Sequence, residues 1–283
     1  MKLSGRVTVT YSIDAALQRL IDQQFPAAQA AGCFSPLAGL TGLTGVVTVN
    51  QQRILARREA PQPIPFVSRR REYQLLKRLA ASGLVPQVYG RNQHWLLLEW
   101  LPGEVLDETQ FAARLDELAA LIGRLHHQPL SGFRLALLPL LETYWQQCRQ
   151  RTAHWLRALR RLQRQGEPRP LRIAPLHMDI HAGNLLACET RLRLIDWEYA
   201  GDGDIALELA AITAANPLTA AQCERLVTQY AVDNQIDTDA LRVQMQRWQP
   251  WLQLLMASWY QLRAEQSGDQ PFYQAAADAW RAV

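Results

Sequence analysis

Three polar side chains in this 283-residue chain have the types and spacing that metal-assisted phosphoryl transfer requires. Asp179 stands in the run His177-Met178-Asp179-Ile180-His181-Ala182-Gly183-Asn184, and Asp196 opens Asp196-Trp197-Glu198. A carboxylate such as Asp179 can accept the proton of an attacking hydroxyl. Asn184 offers an amide oxygen and Asp196 a carboxylate. Mg²⁺ prefers such hard oxygen donors, keeping several waters and taking phosphate oxygens as further ligands. The transition state of phosphoryl transfer is loose, so positioning and charge neutralisation dominate over covalent work by the protein. A single His-x-Asp would read as an ordinary turn; the joint pattern reads as a reaction centre.

The same layout, H-R-D-x-x-x-x-N followed by D-F-G, serves eukaryote-type protein kinases. The flanks suit it. Leu171 to Leu176 is an extended approach, and Asn184 to Cys188 and Leu192 to Asp196 are apolar runs split by a polar turn at Glu189-Thr190-Arg191. This predicts a hairpin with reactive groups at two loop ends. After Asp196, Gly201 and Gly203 predict a sharp turn, and Asp204 a cap for the next helix.

Upstream, residues 13–25 have helical periodicity ended by Pro26. Gly39 to Gly45 is a glycine-rich lead-in to a strand pair, Val46 to Val49 and Arg53 to Arg57. Backbone N–H groups of such a loop, at Gly42 and Gly45, can approach phosphates because no Cβ intervenes. The spacing G-x-x-G-x-x-G departs from both the Walker and the protein-kinase patterns. Kinases carry a phosphate-binding lysine on the second strand; here Arg57 is the cationic substitute and Arg58 its rival, since neighbouring strand residues face opposite ways. A helix over 68–81 brings Glu72, a partner for Arg57. Val85 to Tyr89 and His94 to Trp100 predict two more strands. Leu101-Pro102-Gly103-Glu104 then breaks the pattern where a kinase has its hinge, so the backbone at Glu99 and Leu101 is placed for an adenine edge. The boundary near Pro102 gives an N-terminal nucleotide-binding lobe, 1–101, and a C-terminal catalytic and substrate-binding lobe, 102–283.

Later helices are expected over 111–127, over 137–165 with short turns, and over 219–234, 238–249 and 251–266, with Pro250 kinking the last pair. His126 and His127 are expected to pack or to meet the helix dipole. Trp248, Trp251, Trp259 and Tyr260 gather with Leu252, Leu255 and Met256; most of these aromatics are expected in the core, with one or two lining a substrate pocket.

Composition is that of an ordinary globular protein, 48% hydrophobic and 20% charged. There is no apolar run of about 18 residues and no apolar signal core. The four scattered cysteines, with no C-x-x-C pair, fit free thiols in a reducing compartment, so a cytoplasmic location is expected. Lys2 and Lys77 are the only lysines among 30 basic residues. The arginines between Arg157 and Arg164 fall on the solvent side of a helix whose apolar stripe is Trp155, Leu156, Leu159 and Leu162, which argues against nucleic-acid binding.

Together these residues resemble the aminoglycoside phosphotransferase and choline kinase superfamily. The features are the run His177 to Asn184, Asp196-Trp197-Glu198 in place of D-F-G, Leu101 to Glu104 after the hinge strand, and Leu125-His126 at a helix end. The resemblance covers nearly the whole chain. Leu138 to Gln147, Pro175 to Asn184 and Ile195 to Leu209 look like its bacterial thiamine-phosphorylating branch. It implies an α+β, protein-kinase-like bilobal fold, with a small N-terminal antiparallel sheet lobe and a larger, mostly helical C-terminal lobe. It implies ATP with Mg²⁺, and transfer of the γ-phosphoryl to the thiamine hydroxyl, giving thiamine monophosphate in vitamin salvage. Asp179 would be the base, Asn184 and Asp196 the metal ligands, and Arg57 would take the phosphate-binding place. The cationic thiazolium would suit aromatic faces and carboxylates, for which Trp145, Glu198 and Asp202 are candidates. No membrane and no obligatory protein partner are implied. The competing readings are an aminoglycoside or choline/ethanolamine phosphotransferase, an inactive nucleotide-binding scaffold, and a nucleic-acid binder.

Overall fold

The computed structural model describes residues 11–26, 30–37, 43–189 and 191–283. The chain divides into two compact units, Met1–Gly103 and Glu104–Val283.

In the first unit β1 (Tyr11–Ser12), β2 (Ala30–Leu37), β3 (Thr44–Val49), β4 (Gln52–Arg58), β5 (Val88–Arg91) and β6 (Trp95–Glu99) pair antiparallel in the order β1-β2-β3-β4-β6-β5. The β3–β4 hairpin turns on Asn50 and Gln51, both at positive φ, as a tight two-residue hairpin loop demands. Helix α1 (Ala15–Gln24) sets Leu17, Leu20 and Ile21 against Val47, Val49, Ile54, Ala56, Trp95 and Leu97. Its N-cap, Asp14, accepts from Leu17 N–H at 2.7 Å and from Trp95 Nε1–H at 3.0 Å, which ties the helix start to β6. Leu96 and Leu98 are buried as well, so β6 is apolar at successive positions because both faces of the sheet are covered there. Helix α2 (Arg69–Leu79), capped by Ser68, buries Leu75, Leu76 and Leu79.

Two expectations shift in this unit. The strand expected over Val85 to Tyr89 forms at β5 instead, beyond Pro86, which has no N–H to give a ladder. Gly45 lies inside β3, paired with Ala56, rather than in a loop; Gly42 lies outside the described residues.

The second unit is mostly helical: α3 (Glu108–Ala113), α4 (Leu115–His126), α5 (Leu137–Gln147), α6 (Ala153–Gln165), α7 (Ile205–Ala215), α8 (Ala220–Asp233), α9 (Thr238–Ser267) and α10 (Gln270–Arg281). Between them, β8 (Ile173–Leu176) pairs with β11 (Gly201–Asp204), and β9 (Leu185–Cys188) lies between β10 (Arg191–Leu194) and β7 (Glu104–Val105). The single helix expected over 111–127 is two: Arg114 leaves helical angles, and α4 restarts with Asp116 and Glu117 in its first turn, where acidic groups favour the dipole. The expected kink at Pro250 does not divide the last helices. α9 runs 30 residues through it, with Trp248, Trp251, Leu252 and Leu254 buried on either side, so packing outweighs the lost ladder bond. Of the apolar residues gathered there, Met256 is 42% exposed, and Trp259 and Tyr260 are half-buried. Gly201 and Gly203 do not turn sharply; they form β11. A Cβ on Gly203 would lie 2.7 Å from Leu176 Cδ1, so glycine permits the close β8–β11 approach. On α6, Trp155, Ala158, Leu159 and Leu162 are buried while Arg157, Arg160, Arg161 and Arg164 are exposed. Among the described residues no helix is long and apolar enough to cross a membrane.

Candidate active site

Two strand pairs bracket the reactive loops. Leu176, the end of β8, pairs with Gly201, the start of β11; Leu185, the start of β9, pairs with Leu194, the end of β10. The segment 177–184 and the segment 195–200 therefore share both their closures and must lie side by side. Hydrogen bonds stitch them further. Ile195 N–H donates to Asn184 O at 3.0 Å, and His177 Nε2 meets Ile195 O at 2.9 Å. Asn184 Nδ2 donates to both Asp179 O and Asp179 Oδ2, each at 2.9 Å. Its amide nitrogen is thus turned toward Asp179 and its Oδ1 away.

The backbone here is strained. Met178 and Asp196 have φ of 66° and 64°, left-handed values that cost a non-glycine residue of order 1 kcal/mol or more. Buried Glu208 on α7 holds the first of them. Its carboxylate accepts from His177 N–H at 3.0 Å and from Met178 N–H at 2.6 Å. The same carboxylate lies 3.1 Å from His126 Nε2, and His126 Nδ1 lies 2.6 Å from the Tyr230 hydroxyl, which accepts from Arg172 at 3.3 Å. Burial holds His126 below the ordinary imidazole pKa despite Glu208. A neutral ring satisfies both partners, with Nε2–H donating to Glu208 and Nδ1 accepting from Tyr230. Burial pushes Glu208 upward, but His126 and the charges and amides around it more than offset this, so its pKa is lowered. His126 therefore packs, as expected, and it packs in support of the loop ahead of Asp179. His177, fully buried edge-on against Trp197 with ring centroids 4.6 Å apart, is also held below its usual pKa by burial.

Asp179 is 34% exposed at its side chain, so a solute can reach it. Burial first, then the charges of Asp196 and Glu198, raise its pKa to about 7, against the opposing Asn184 hydrogen bond. His181 Nε2 stands 3.8 Å from Asp179 Oδ1, and its own pKa is lowered by burial. Three carboxylates close enough to oppose one another's ionisation are an environment that a cation relieves. Among the described residues no three His, Cys, Asp or Glu side chains form a metal-holding group. The expected donors, one carboxylate and one amide oxygen completed by phosphates and water, do not need such a group. With Asn184 Oδ1 turned from Asp179, the donor chemistry fits Mg²⁺.

The acceptor-site expectations divide. Glu198 is buried beside Asp179 and contributes to its raised pKa. Asp202 is not available to a substrate: it is 4% exposed, and its carboxylate accepts from Ser131 N–H and Oγ–H at 2.8 Å and Gly132 N–H at 2.6 Å. Trp145 packs edge-on against Trp155 at 5.3 Å with the Arg151 guanidinium 5.7 Å from its ring. Tyr199, half-buried on the second loop, is an aromatic group within electrostatic reach of Glu198 and Asp179. Its pKa is raised by burial, then by Glu198, Tyr144 and, more weakly, Asp179, and its hydroxyl accepts from Trp259 Nε1–H at 2.8 Å. Asp204 caps α7 and also accepts from Gln244 at 2.7 Å and Trp248 at 2.8 Å.

Glu208 was within reach of sequence reasoning. A carboxylate in the otherwise apolar run Ile205 to Ala215 must find partners when that helix is buried.

In the first unit Arg57 is buried and Arg58 exposed. Arg57 Nη1 meets Glu72 Oε1 at 2.6 Å, so the expected contact forms. Glu99 ends β6, where its carboxylate accepts from Gln87 N–H at 2.9 Å, and Leu101 is buried.

Comparison with known proteins agrees with this chemistry. Residues 38–246 match the model of the phosphotransferase enzyme family. The chain is 43% identical over 264 residues to proteins named thiamine kinase from Escherichia coli O17:K52:H18 and Shigella dysenteriae serotype 1, covering 93% of each chain. Among solved structures, a choline kinase from Streptococcus pneumoniae superposes with a TM-score of 0.72 at 18% identity, covering 94% of this chain and 99% of that one. A choline/ethanolamine kinase family protein from Mesorhizobium loti gives 0.69 at 20%, covering 89% and 87%. These likenesses establish the kinase-like α+β fold of the choline kinases and aminoglycoside phosphotransferases. A family match over most of the length, joined to close relatives end to end, leaves one assignment: the chain belongs to the phosphotransferase enzyme family.

Proposed function

We propose that this phosphotransferase moves the γ-phosphoryl group of ATP to the hydroxyl of thiamine, giving thiamine monophosphate, and that it does so in the cytoplasm. The observation that carries the chemistry is the doubly closed pair of loops holding Asp179, Asn184 and Asp196 together. The acceptor rests on the 43% identity to proteins named thiamine kinase over nearly the whole chain.

In this reading Asp179 Oδ2 stays on Asn184, and Oδ1 takes the proton of the attacking hydroxyl. A pKa near 7 suits a group that must accept a proton at neutral pH and release it after transfer. Asn184 Oδ1 and the Asp196 carboxylate would hold Mg²⁺, which supplies neutralisation of the phosphate charge. Bound there, it would also draw the Asp179 pKa down. Arg57, fixed by Glu72, would bind the donor phosphates. The backbone of Glu99 to Leu101 would meet the adenine. Tyr199 and Trp259 offer aromatic faces to the cationic thiazolium in place of Trp145, and the buried Glu198 would act on it through the field of its charge rather than by contact.

ATP consumption measured over thiamine, choline, ethanolamine and an aminoglycoside tests the proposal. Turnover with thiamine alone is expected. Turnover with choline or an aminoglycoside in its place would transfer the assignment to that acceptor, and no turnover with any would favour a nucleotide-binding scaffold.

A further inference from the structure

One side chain of the first loop is held in a single state and has no use in the chemistry above. Gly183 N–H donates to His181 Nδ1 at 3.1 Å. A Cβ on Gly183 would lie 3.0 Å from His181 Cε1 and 3.1 Å from Nδ1, so the glycine lets the ring close onto the backbone. A nitrogen that accepts from an amide cannot carry a hydrogen of its own. The neutral ring therefore has its hydrogen on Nε2.

That hydrogen faces Asp179. Nε2 stands 3.8 Å from Asp179 Oδ1, too far for a direct hydrogen bond. Oδ1 is the oxygen that Asn184 leaves open, since Asn184 Nδ2 is on Oδ2. Among the described residues His181 Nε2 makes no hydrogen bond. The two side chains are 42% and 34% exposed, so a solute reaches both. A donor and an acceptor set this far apart suit one oxygen between them.

We infer that His181 is a second contact to the acceptor hydroxyl, donating from Nε2–H to the oxygen whose proton goes to Asp179. This rests on the reading of Asp179 as the base. A hydroxyl oxygen has one hydrogen and two lone pairs. The hydrogen passes to Asp179 Oδ1. One lone pair forms the bond to the γ-phosphorus as the bond from that phosphorus to the ADP oxygen breaks. The other accepts from His181. Two contacts fix the attacking oxygen where one would let it swing. They also select an alcohol, because an ammonium has no lone pair with which to accept.

The test compares thiamine with its analogue in which an ethyl group replaces the hydroxyethyl. Equilibrium binding of each to the full chain is measured with Mg-ADP present, and kcat is measured with Mg-ATP. His181→Ala is expected to weaken thiamine about tenfold, the weight of one hydrogen bond, and to leave the ethyl analogue at its wild-type affinity. His181→Gln, whose amide N–H has a similar reach, should recover part of the loss. Should His181→Ala not fold, His181→Phe, a ring without the donor, is read in the same way. Equal weakening of both ligands would make the ring a support of the pocket and overturn the inference. Unchanged affinity for both would overturn it too, and a fall in kcat alongside would pass the donor to the transferred phosphoryl group. Wild-type turnover of thiamine and its loss in Asp179→Ala check the reading beneath. If either is missing, that reading fails first and takes this inference with it.

Discussion

The two charged sites are built by opposite means. The loops at 177–184 and 195–200 are held by backbone bonds: shared strand closures, Ile195 N–H on Asn184 O, and Glu208 on two main-chain amides. The arginine site of the first unit is held by side-chain charge, with Glu72 between Arg57 and Arg69. A backbone-held site writes itself into sequence as a compact motif, because each loop length is fixed. A charge-held site scatters over elements and leaves only residue types behind. The two should also fail differently when altered.

Asp179→Ala is expected to lower kcat by ~10²–10⁴ while ATP still binds, as read by nucleotide-induced thermal shift; near-normal kcat would remove Asp179 from the role of base. Asp196→Asn should weaken the dependence on Mg²⁺ and turnover together, by ~10²-fold or more, seen in a magnesium titration of rate. Glu208→Ala leaves two buried amides and His126 without their partner. A stability loss of ~3 kcal/mol is expected, read by denaturant unfolding, together with a fall in kcat; a fall in the KM for ATP alone would contradict the backbone account.

The pH response of the metal-free chain separates the same groups. His126 and His177 are held below their ordinary pKa, so the folded state binds fewer protons than the unfolded one. Their contribution is present above the usual imidazole pKa, about 6.5, and is lost as pH falls below it. Asp179 runs the other way: raised to about 7, it contributes most at low pH and loses that contribution as pH rises toward 7. Thermal melts across pH should therefore show an acid limb flattened by His126→Gln and a loss toward neutrality removed by Asp179→Asn or by added Mg²⁺. The smallest effect expected is at Arg58. Its side chain is exposed, so Arg58→Ala should keep wild-type kinetics and stability within about 0.5 kcal/mol.

Much of this was legible in the sequence. The spacing of Asp179, Asn184 and Asp196 and the hairpin between them follow from residues close in the chain. Glu72 was placed on the following helix as a partner for Arg57, and that contact forms, whereas strand alternation alone left Arg57 and Arg58 open. What was hidden depends on distant partners. Asp202 read as a free carboxylate beside a motif, yet Ser131 and Gly132, far earlier in the chain, consume it. Pro250 read as a kink between two helices because local rules cannot see the packing that buries Trp248 and Trp251 on either side of it. Tyr199 is bonded by Trp259, on a helix whose aromatics periodicity could not divide between core and pocket.

The shared strand closures also decide where evolution can lengthen or shorten this chain. A residue added between Cys188 and Arg191 lengthens the β9–β10 connection and leaves Leu176 opposite Gly201 and Leu185 opposite Leu194. A residue added between His177 and Asn184 has nowhere to go, since both ends of that segment are pinned to a second segment that would have to grow with it. Insertions among relatives should gather at that connection and avoid the eyelet.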